Sequence, residues 1–171
     1  MKCFNVGILG TGSIAQSMAF TLNALKDKGE VVPYAIASRS LKKAENFARE
    51  WHFEKAYSSY EALVSDPAVD LIYIATPHSL HYEHALLCLN HSKNTLVEKS
   101  FTANALQAQE LLSLAADKKV LLAEAIWTRY MPSRKIIADL LASGAIGRFT
   151  TLNATFSVPI HEIPRMHDPS L

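Results

Sequence analysis

The sequence predicts a doubly wound α/β fold with a mostly parallel sheet, followed by the opening of a second domain. Three observations carry this. Short apolar runs alternate with amphipathic helical patterns from the first residues onward, an order that needs crossover connections and therefore parallel strands covered on both faces. A turn with two glycines, Gly10-Thr11-Gly12, separates the first apolar run from the first helical pattern. After Glu124 the alternation stops and a different pattern begins.

Residues 5–9 form a short buried-type strand, and Ile14, Met18, Leu22 and Leu25 then mark one apolar helical face. Residues 31–37 form a second strand, followed by a helix with Leu41, Ala44, Ala48 and Trp51 facing inward. Ser58 and Glu61 stand at capping-box spacing for a short helix that stops near Asp66-Pro67. Residues 71–75 form the third clear strand, punctuated by Pro77. A helix over residues 81–89 leads to a strand that ends at Glu98. Thr102 can cap a helix over residues 103–117, and residues 120–123 form a further strand.

Beyond Glu124, Pro132 opens a helix whose apolar face is Ile136, Ile137, Leu140 and Leu141, and Gly144 stops it. Residues 148–158 read as one long strand with Leu152, Ala154, Phe156 and Val158 on one face. Residues 159–171 hold three prolines and no periodicity. A single strand followed by loop cannot bury its own apolar face, so a second domain begins here.

Composition narrows the function classes. Of 171 residues, 49% are hydrophobic and 19% charged, the profile of an ordered globular chain. A formal net charge of +1 without a basic block argues against nucleic acid and against an anionic membrane surface as partners. Cys3 and Cys88 are too few for a disulfide framework, which favours a reducing cytoplasmic setting. No signal peptide is visible, and no apolar run reaches transmembrane length.

The segment Gly10-Thr11-Gly12-Ser13-Ile14-Ala15 matches G-x-G-x-x-A between a strand and a helix, the turn of a Rossmann nucleotide-binding domain. Gly10 permits the tight turn, and Gly12 lets the backbone approach a pyrophosphate. Ala15 allows close helix–sheet packing, and the helix N-terminus favours the anion. The second strand ends in Ser38-Arg39-Ser40 without the acidic residue that would bind NAD ribose hydroxyls. Ser38, Arg39 and Lys43 instead supply donors for a 2′-phosphate, which favours NADP over NAD as cofactor, with NAD still possible. Glu98-Lys99 closes an apolar run with two adjacent charges, costly to desolvate unless they are paired or do chemistry.

These segments, with Asp66-Pro67-Ala68-Val69-Asp70, Ala75-Thr76-Pro77 and His81, occur in an order that resembles the Gfo/Idh/MocA oxidoreductases. Glu124 with Trp127, Arg129, Tyr130 and Pro132 extends the resemblance. Within that family, the run Trp127-Thr128-Arg129-Tyr130-Met131-Pro132 and the tail Arg165-Met166-His167-Asp168-Pro169 are similar to the dihydrodiol and NADP-dependent aldose dehydrogenase branch. The resemblance implies that Lys99 is the active-site lysine, buried beside nicotinamide with a lowered pKa, and that Glu98 lies at the nicotinamide ribose. It further implies that Thr76, Pro77 and His81 line the cofactor cleft, and that Trp127 and Arg129 close it.

Two positions depart from the family pattern: Ser100 stands in place of the proline of Glu-Lys-Pro, and His78 in place of an asparagine after Thr-Pro. Residues 1–124 are then the dinucleotide-binding domain. Residues 125–171 hold the crossover helix and first strand of a substrate and dimerisation domain with an open antiparallel-type sheet. The chain resembles the N-terminal portion of such an enzyme and is expected to be inactive in isolation.

His78, His81 and His84 are spaced by three, but no cysteine or carboxylate set converges with them, so no metal is expected. Cys88, among leucines, reads as a buried small hydrophobe. The function implied is hydride transfer between NADP(H) and a carbinol carbon of a sugar or diol. A homo-oligomer is expected for the full-length protein. The alternative is a nucleotide sensor or vestigial protein without turnover.

Overall fold

The computed structural model describes residues 3–157, which fall into two units divided between Ala125 and Ile126. In the first unit strands and helices alternate. They are β1 (Phe4–Leu9), α1 (Ser13–Lys26), β2 (Val31–Ala37), α2 (Leu41–Trp51), β3 (Lys55–Tyr57), α3 (Tyr60–Val64), β4 (Leu71–Ile74), α4 (His81–Asn90), β5 (Asn94–Val97), α5 (Ala105–Lys118) and β6 (Leu122–Glu124). The strands form one six-stranded sheet in the order β3-β2-β1-β4-β5-β6, with every neighbouring pair parallel. This is the Rossmann arrangement. Its strand order reverses between β1 and β4, which opens a crevice at their carboxyl ends.

The strands are nearly continuous apolar runs because both faces of the sheet are covered. Ile8 and Tyr73 pack with Ala15, Ala19, Ala44 and Phe47 on one face. Leu9, Ile72 and Ile74 pack with Leu63, Leu89 and Leu111 on the other. On α1 the buried residues are Ala15, Ala19 and Leu22, and Met18 packs half-buried against the same core. Of the expected stripe Leu25 is half-buried and Ile14 exposed, because the small Ala15 and Ala19 face the sheet. On α2, Ala44 and Phe47 are buried while Leu41 is exposed. The β1–β2 register shifts between Val6 and Gly7, beside Pro33, which has no N–H to give to the ladder.

Side chains satisfy the amino edge of the sheet. The Asn5 N–H donates to Asp70 Oδ2 at 2.9 Å. The Asn94 side chain donates to Asp70 O at 3.0 Å and accepts from the Leu121 N–H at 2.9 Å. Asp66 organises the turn before β4. It accepts from Lys55 Nζ at 2.9 Å, from the Tyr57 hydroxyl at 2.7 Å and from the Ala68 N–H at 2.9 Å. Burial alone would raise its pKa, but these bonds outweigh burial and hold the carboxyl well below the usual carboxylate range.

Three local expectations shift. The N-cap of α3 is Ser59, not Ser58: its Oγ accepts from the Ala62 N–H at 3.1 Å. The N-cap of α5 is Asn104, which accepts from the Gln107 N–H at 3.1 Å, while Thr102 donates to Asn104 O at 2.8 Å. In each case the residue with an oxygen two or three positions before an open helix N–H wins the cap. The short β3, unannounced in the sequence, pairs with β2 through Lys55, Ala56 and Tyr57.

In the second unit a 3-10 turn, Trp127–Tyr130, precedes α6 (Pro132–Ala142). Gly144 follows the helix at φ +69°, a conformation that side chains with a Cβ rarely adopt. The strand expected over residues 148–158 is not formed by residues 148–157, and Val158 lies outside the described residues. An extended segment becomes a strand only by pairing, and none of the described residues pairs with this one. Ile136, Ile137, Leu140 and Leu141 of α6 are exposed. No helix among the described residues is long and apolar enough to cross a membrane.

Candidate cofactor and active site

The turn after β1 lies at the point where the strand order reverses, and its two glycines do different things. Gly10 has φ +102°, and a Cβ there would lie 2.9 Å from the carbonyl oxygen of Ala75 at the end of β4. Gly10 is therefore required by the fold. Gly12, the N-cap of α1, has an ordinary φ of −79°, and a Cβ there would meet nothing within 4 Å. Its bareness leaves free space over the helix end. No side chain caps α1 and no acidic residue occupies its first turn, so the N–H groups that open the helix suit an anion. Thr11 is half-buried there, and Ser13 and Ile14 are exposed. This cradle fits a dinucleotide pyrophosphate.

At the end of β2, Ser38 is buried, its N–H donating to Tyr57 O at 3.1 Å, while Arg39 and Lys43 are exposed. Tyr60 and His84, which the sequence did not assign to this region, stand close together with ring centroids 4.6 Å apart, edge to face. Burial raises the Tyr60 phenol, and the Arg39 cation opposes that shift. His84 has its pKa lowered, chiefly by burial, with a smaller contribution in the same direction from Arg39. His84 Nδ1 lies 2.9 Å from Thr76 Oγ1, tying this group to the end of β4. The triple-histidine spacing was the only sequence signal for His84, and nothing singled out Tyr60.

Thr76 is buried and Pro77 exposed. His81 is fully buried, so its ring does not line the cleft surface. Its Nε2 lies 2.9 Å from Thr76 O and its Nδ1 lies 2.7 Å from Ser100 O. Carbonyl oxygens only accept, so both bonds form together only when each ring nitrogen carries a proton. The ring clamps the segment after β4 to the segment after β5. Among the described residues, no group of three or more His, Cys, Asp or Glu is arranged to hold a metal ion.

Glu98 and Lys99 follow β5 at the same sheet edge. The Tyr73 hydroxyl donates to Glu98 Oε1 at 2.5 Å, and Glu98 Oε2 accepts from the Lys99 N–H at 3.0 Å. Both carboxylate oxygens are thus engaged, which fixes Glu98 in one orientation. Burial, then the bond to Glu98, pushes the Tyr73 phenol far above its ordinary range. Lys99 is exposed rather than buried, because it stands two residues past the end of β5 at Val97, beyond the cover of the flanking helices. The Lys99–Ser100 peptide is cis. Phe101 N–H donates to Glu124 Oε1 at 2.9 Å, which brings the end of β6 into the same region.

Trp127 and Arg129 belong to the 3-10 turn of the second unit, and both are exposed. Cys88 is a buried small hydrophobe of α4, its thiol pushed up to about 12 by burial.

This arrangement is that of a Rossmann-type nucleotide domain with a charged strand end facing the crevice. Residues 4–126 match the oxidoreductase family GFO_IDH_MocA, NAD-binding Rossmann fold, and the chain belongs to that family. It is 40% identical over 165 residues to a trans-1,2-dihydrobenzene-1,2-diol dehydrogenase of Xenopus tropicalis, covering 96% of this chain and 50% of that protein. It is 41% identical over 162 residues to a D-xylose 1-dehydrogenase (NADP(+)) of Hypocrea jecorina, covering 89% of this chain and 41% of that one. Among solved structures, a 3-ketoreductase from Actinomadura kijaniata with NADP and TDP-benzene matches with TM-score 0.76 and 32% identity, over 86% of this chain and 44% of the other. The chain spans about half the length of the curated relatives it matches.

Proposed function

We propose that this chain binds NADP(H) and supplies the cofactor site and proton-handling lysine of a dehydrogenase acting on a sugar or diol carbinol carbon. One observation carries the proposal: the uncapped α1 N-terminus, with open space at Gly12, stands at the sheet edge that also presents Glu98 and Lys99. The relatives' names support the substrate class, since one oxidises a dihydrodiol and another D-xylose.

In this reading Gly10, Thr11, Gly12, Ser13 and Ile14 hold the pyrophosphate through backbone N–H groups and the helix dipole. Ser38, Arg39 and Lys43 receive the 2′-phosphate, since hydroxyl and cationic donors stand where an NAD-specific domain carries a carboxylate. Glu98 accepts from the nicotinamide ribose, and Thr76 and Pro77 border the cleft. When bound, the cofactor supplies or accepts the hydride. Lys99 Nζ gives or takes the proton of the substrate hydroxyl. Residues 125–171, with Trp127 and Arg129 among them, begin the domain that holds the substrate. A homo-oligomer is part of the proposal.

The test has two arms. Titration of the chain with NADPH, followed by nicotinamide fluorescence, is expected to saturate; absence of saturable binding would refute the cofactor site. In the protein carrying this chain, Lys99→Met is expected to lower kcat for aldose or diol oxidation by about 100-fold or more. Its NADPH affinity should stay within about threefold of the parent, under 1 kcal/mol. Equal kcat in the two proteins would remove Lys99 from the chemistry, and binding without any turnover would identify a sensor.

A further inference from the structure

We propose that Glu124 is a positioning residue for Lys99, acting through the backbone of the segment that follows it. Only the catalytic importance of Lys99 rests on the function proposed above; the placement of the segment rests on geometry alone.

Three consecutive residues leave β5 with their backbone polar groups tied to side chains from different places. The Lys99 N–H donates to Glu98 Oε2, the Ser100 carbonyl lies 2.7 Å from His81 Nδ1, and the Phe101 N–H donates to Glu124 Oε1 at 2.9 Å. The Lys99 side chain is exposed, and among the described residues its amine makes no hydrogen bond or ion pair. The backbone it leaves therefore fixes where the side chain starts, its Cα position and Cα–Cβ vector, and with them the space the amine can reach. Ser100 has no ring to restrict φ, so that backbone is held by its neighbours rather than by itself.

Of the three anchors, Glu124 is the one that bears on this segment alone. His81 also grips Thr76 O, and Glu98 also binds Tyr73. The β5–β6 ladder does not depend on the Glu124 carboxylate, because Glu124 pairs with Val97 through the backbone and the Ala125 N–H donates to Val97 O at 2.8 Å. Removing the carboxylate thus releases Phe101 while the sheet stays paired. A carboxylate accepting from a backbone N–H is stronger than a neutral acceptor, and an amide oxygen at the same reach still makes the bond. Acceptance, not charge, is what the position requires.

The experiment uses the whole chain with its lysines reductively methylated with 13C, the Lys99 resonance being identified by its loss in Lys99→Arg. In the parent, NADP+ is expected to shift that resonance. In Glu124→Ala the resonance should move in the free protein and lose most of its NADP+ response, and Phe101 amide exchange should rise about tenfold. NADP+ affinity should remain within about threefold. Glu124→Gln should restore the parent values of both. Glu124→Asp, which keeps the charge but withdraws the oxygens by one methylene, should behave as the alanine variant and serves if that variant fails to fold. A Lys99 resonance and Phe101 exchange unchanged in Glu124→Ala or Glu124→Asp would overturn the proposal, as would failure of Glu124→Gln to restore them. If the parent binds no NADP+, the cofactor reading fails, and the free-protein resonance and Phe101 exchange still decide the role of Glu124.

Discussion

The Tyr73 hydroxyl, rising from the central strand β4, donates to Glu98 Oε1 at 2.5 Å and so anchors the strand-end carboxylate from beneath. Tyr73 is buried with 2% of its surface exposed, and its phenol is held protonated by that burial and by the carboxylate it serves. A core residue thereby sets the orientation of a group facing the crevice.

Tyr73→Phe removes this donor and leaves a half-buried carboxylate short of a partner. A loss of about 1–3 kcal/mol is expected in denaturant unfolding at neutral pH. The linkage sign is definite. A tyrosine whose folded pKa exceeds its ordinary 10.0 contributes stability that is complete below pH 10 and lost as pH rises above it. The variant should lose less stability than the parent above pH 10. Parallel pH–stability curves would show that Tyr73 and Glu98 are not coupled.

Gly10 and Gly12 should separate fold from binding. Gly10→Ala meets the Ala75 carbonyl at 2.9 Å in a positive-φ conformation and should cost at least about 1–3 kcal/mol. Gly12→Ala meets nothing and should change stability by no more than about 1 kcal/mol. It should nonetheless weaken NADPH binding about tenfold, or 1.4 kcal/mol, by filling the approach to the helix end. Thermal melts and NADPH titrations on both variants decide this; unchanged NADPH affinity in Gly12→Ala would place the pyrophosphate elsewhere.

Arg39→Asp should reverse the cofactor preference. An acid at the end of β2 repels a 2′-phosphate and can accept from ribose hydroxyls. The ratio of NADPH to NADH affinity is expected to fall by about tenfold or more. An unaltered ratio would free Arg39 of any part in phosphate recognition.

Asp66→Asn should destabilise by about 1–3 kcal/mol at neutral pH, since the ion pair to Lys55 and the bond from Tyr57 both weaken. The folded pKa of Asp66 lies below its ordinary 3.8, so its contribution is complete above that value and lost as pH falls beneath it. The gap between parent and variant should therefore narrow below about pH 4. A gap that stays constant down to pH 2 would show that the carboxylate charge is not what stabilises the turn.

Much of this architecture was legible in residue order. The strand over residues 31–37 is observed as Val31–Ala37, and the helix placed over 81–89 as His81–Asn90. Local apolar patterning reports burial directly: β2 lies inside the sheet, and α4 packs one face against it. The helix caps were less legible, because several serines, threonines and asparagines near a helix start compete and only geometry selects one. The segment 148–157 shows the limit of periodicity: alternation marks a face able to pack, and a strand forms only where its edges find a partner to pair with.

The site divides the same way. The glycine turn, the cationic end of β2 and the Glu98-Lys99 pair are local in sequence, and each could be recognised from neighbouring residues. What each side chain does depended on contacts between residues far apart in the chain. His81 looked like a cleft residue and is a buried clamp on Thr76 and Ser100; Glu124 looked like part of a motif and holds Phe101; Tyr73 lay unmarked inside the strand over residues 71–75 and orients Glu98. Linear patterning records which backbone a segment prefers and which face it can bury. A hydrogen bond across 19, 23 or 25 positions exists only once the sheet has brought the strand ends side by side.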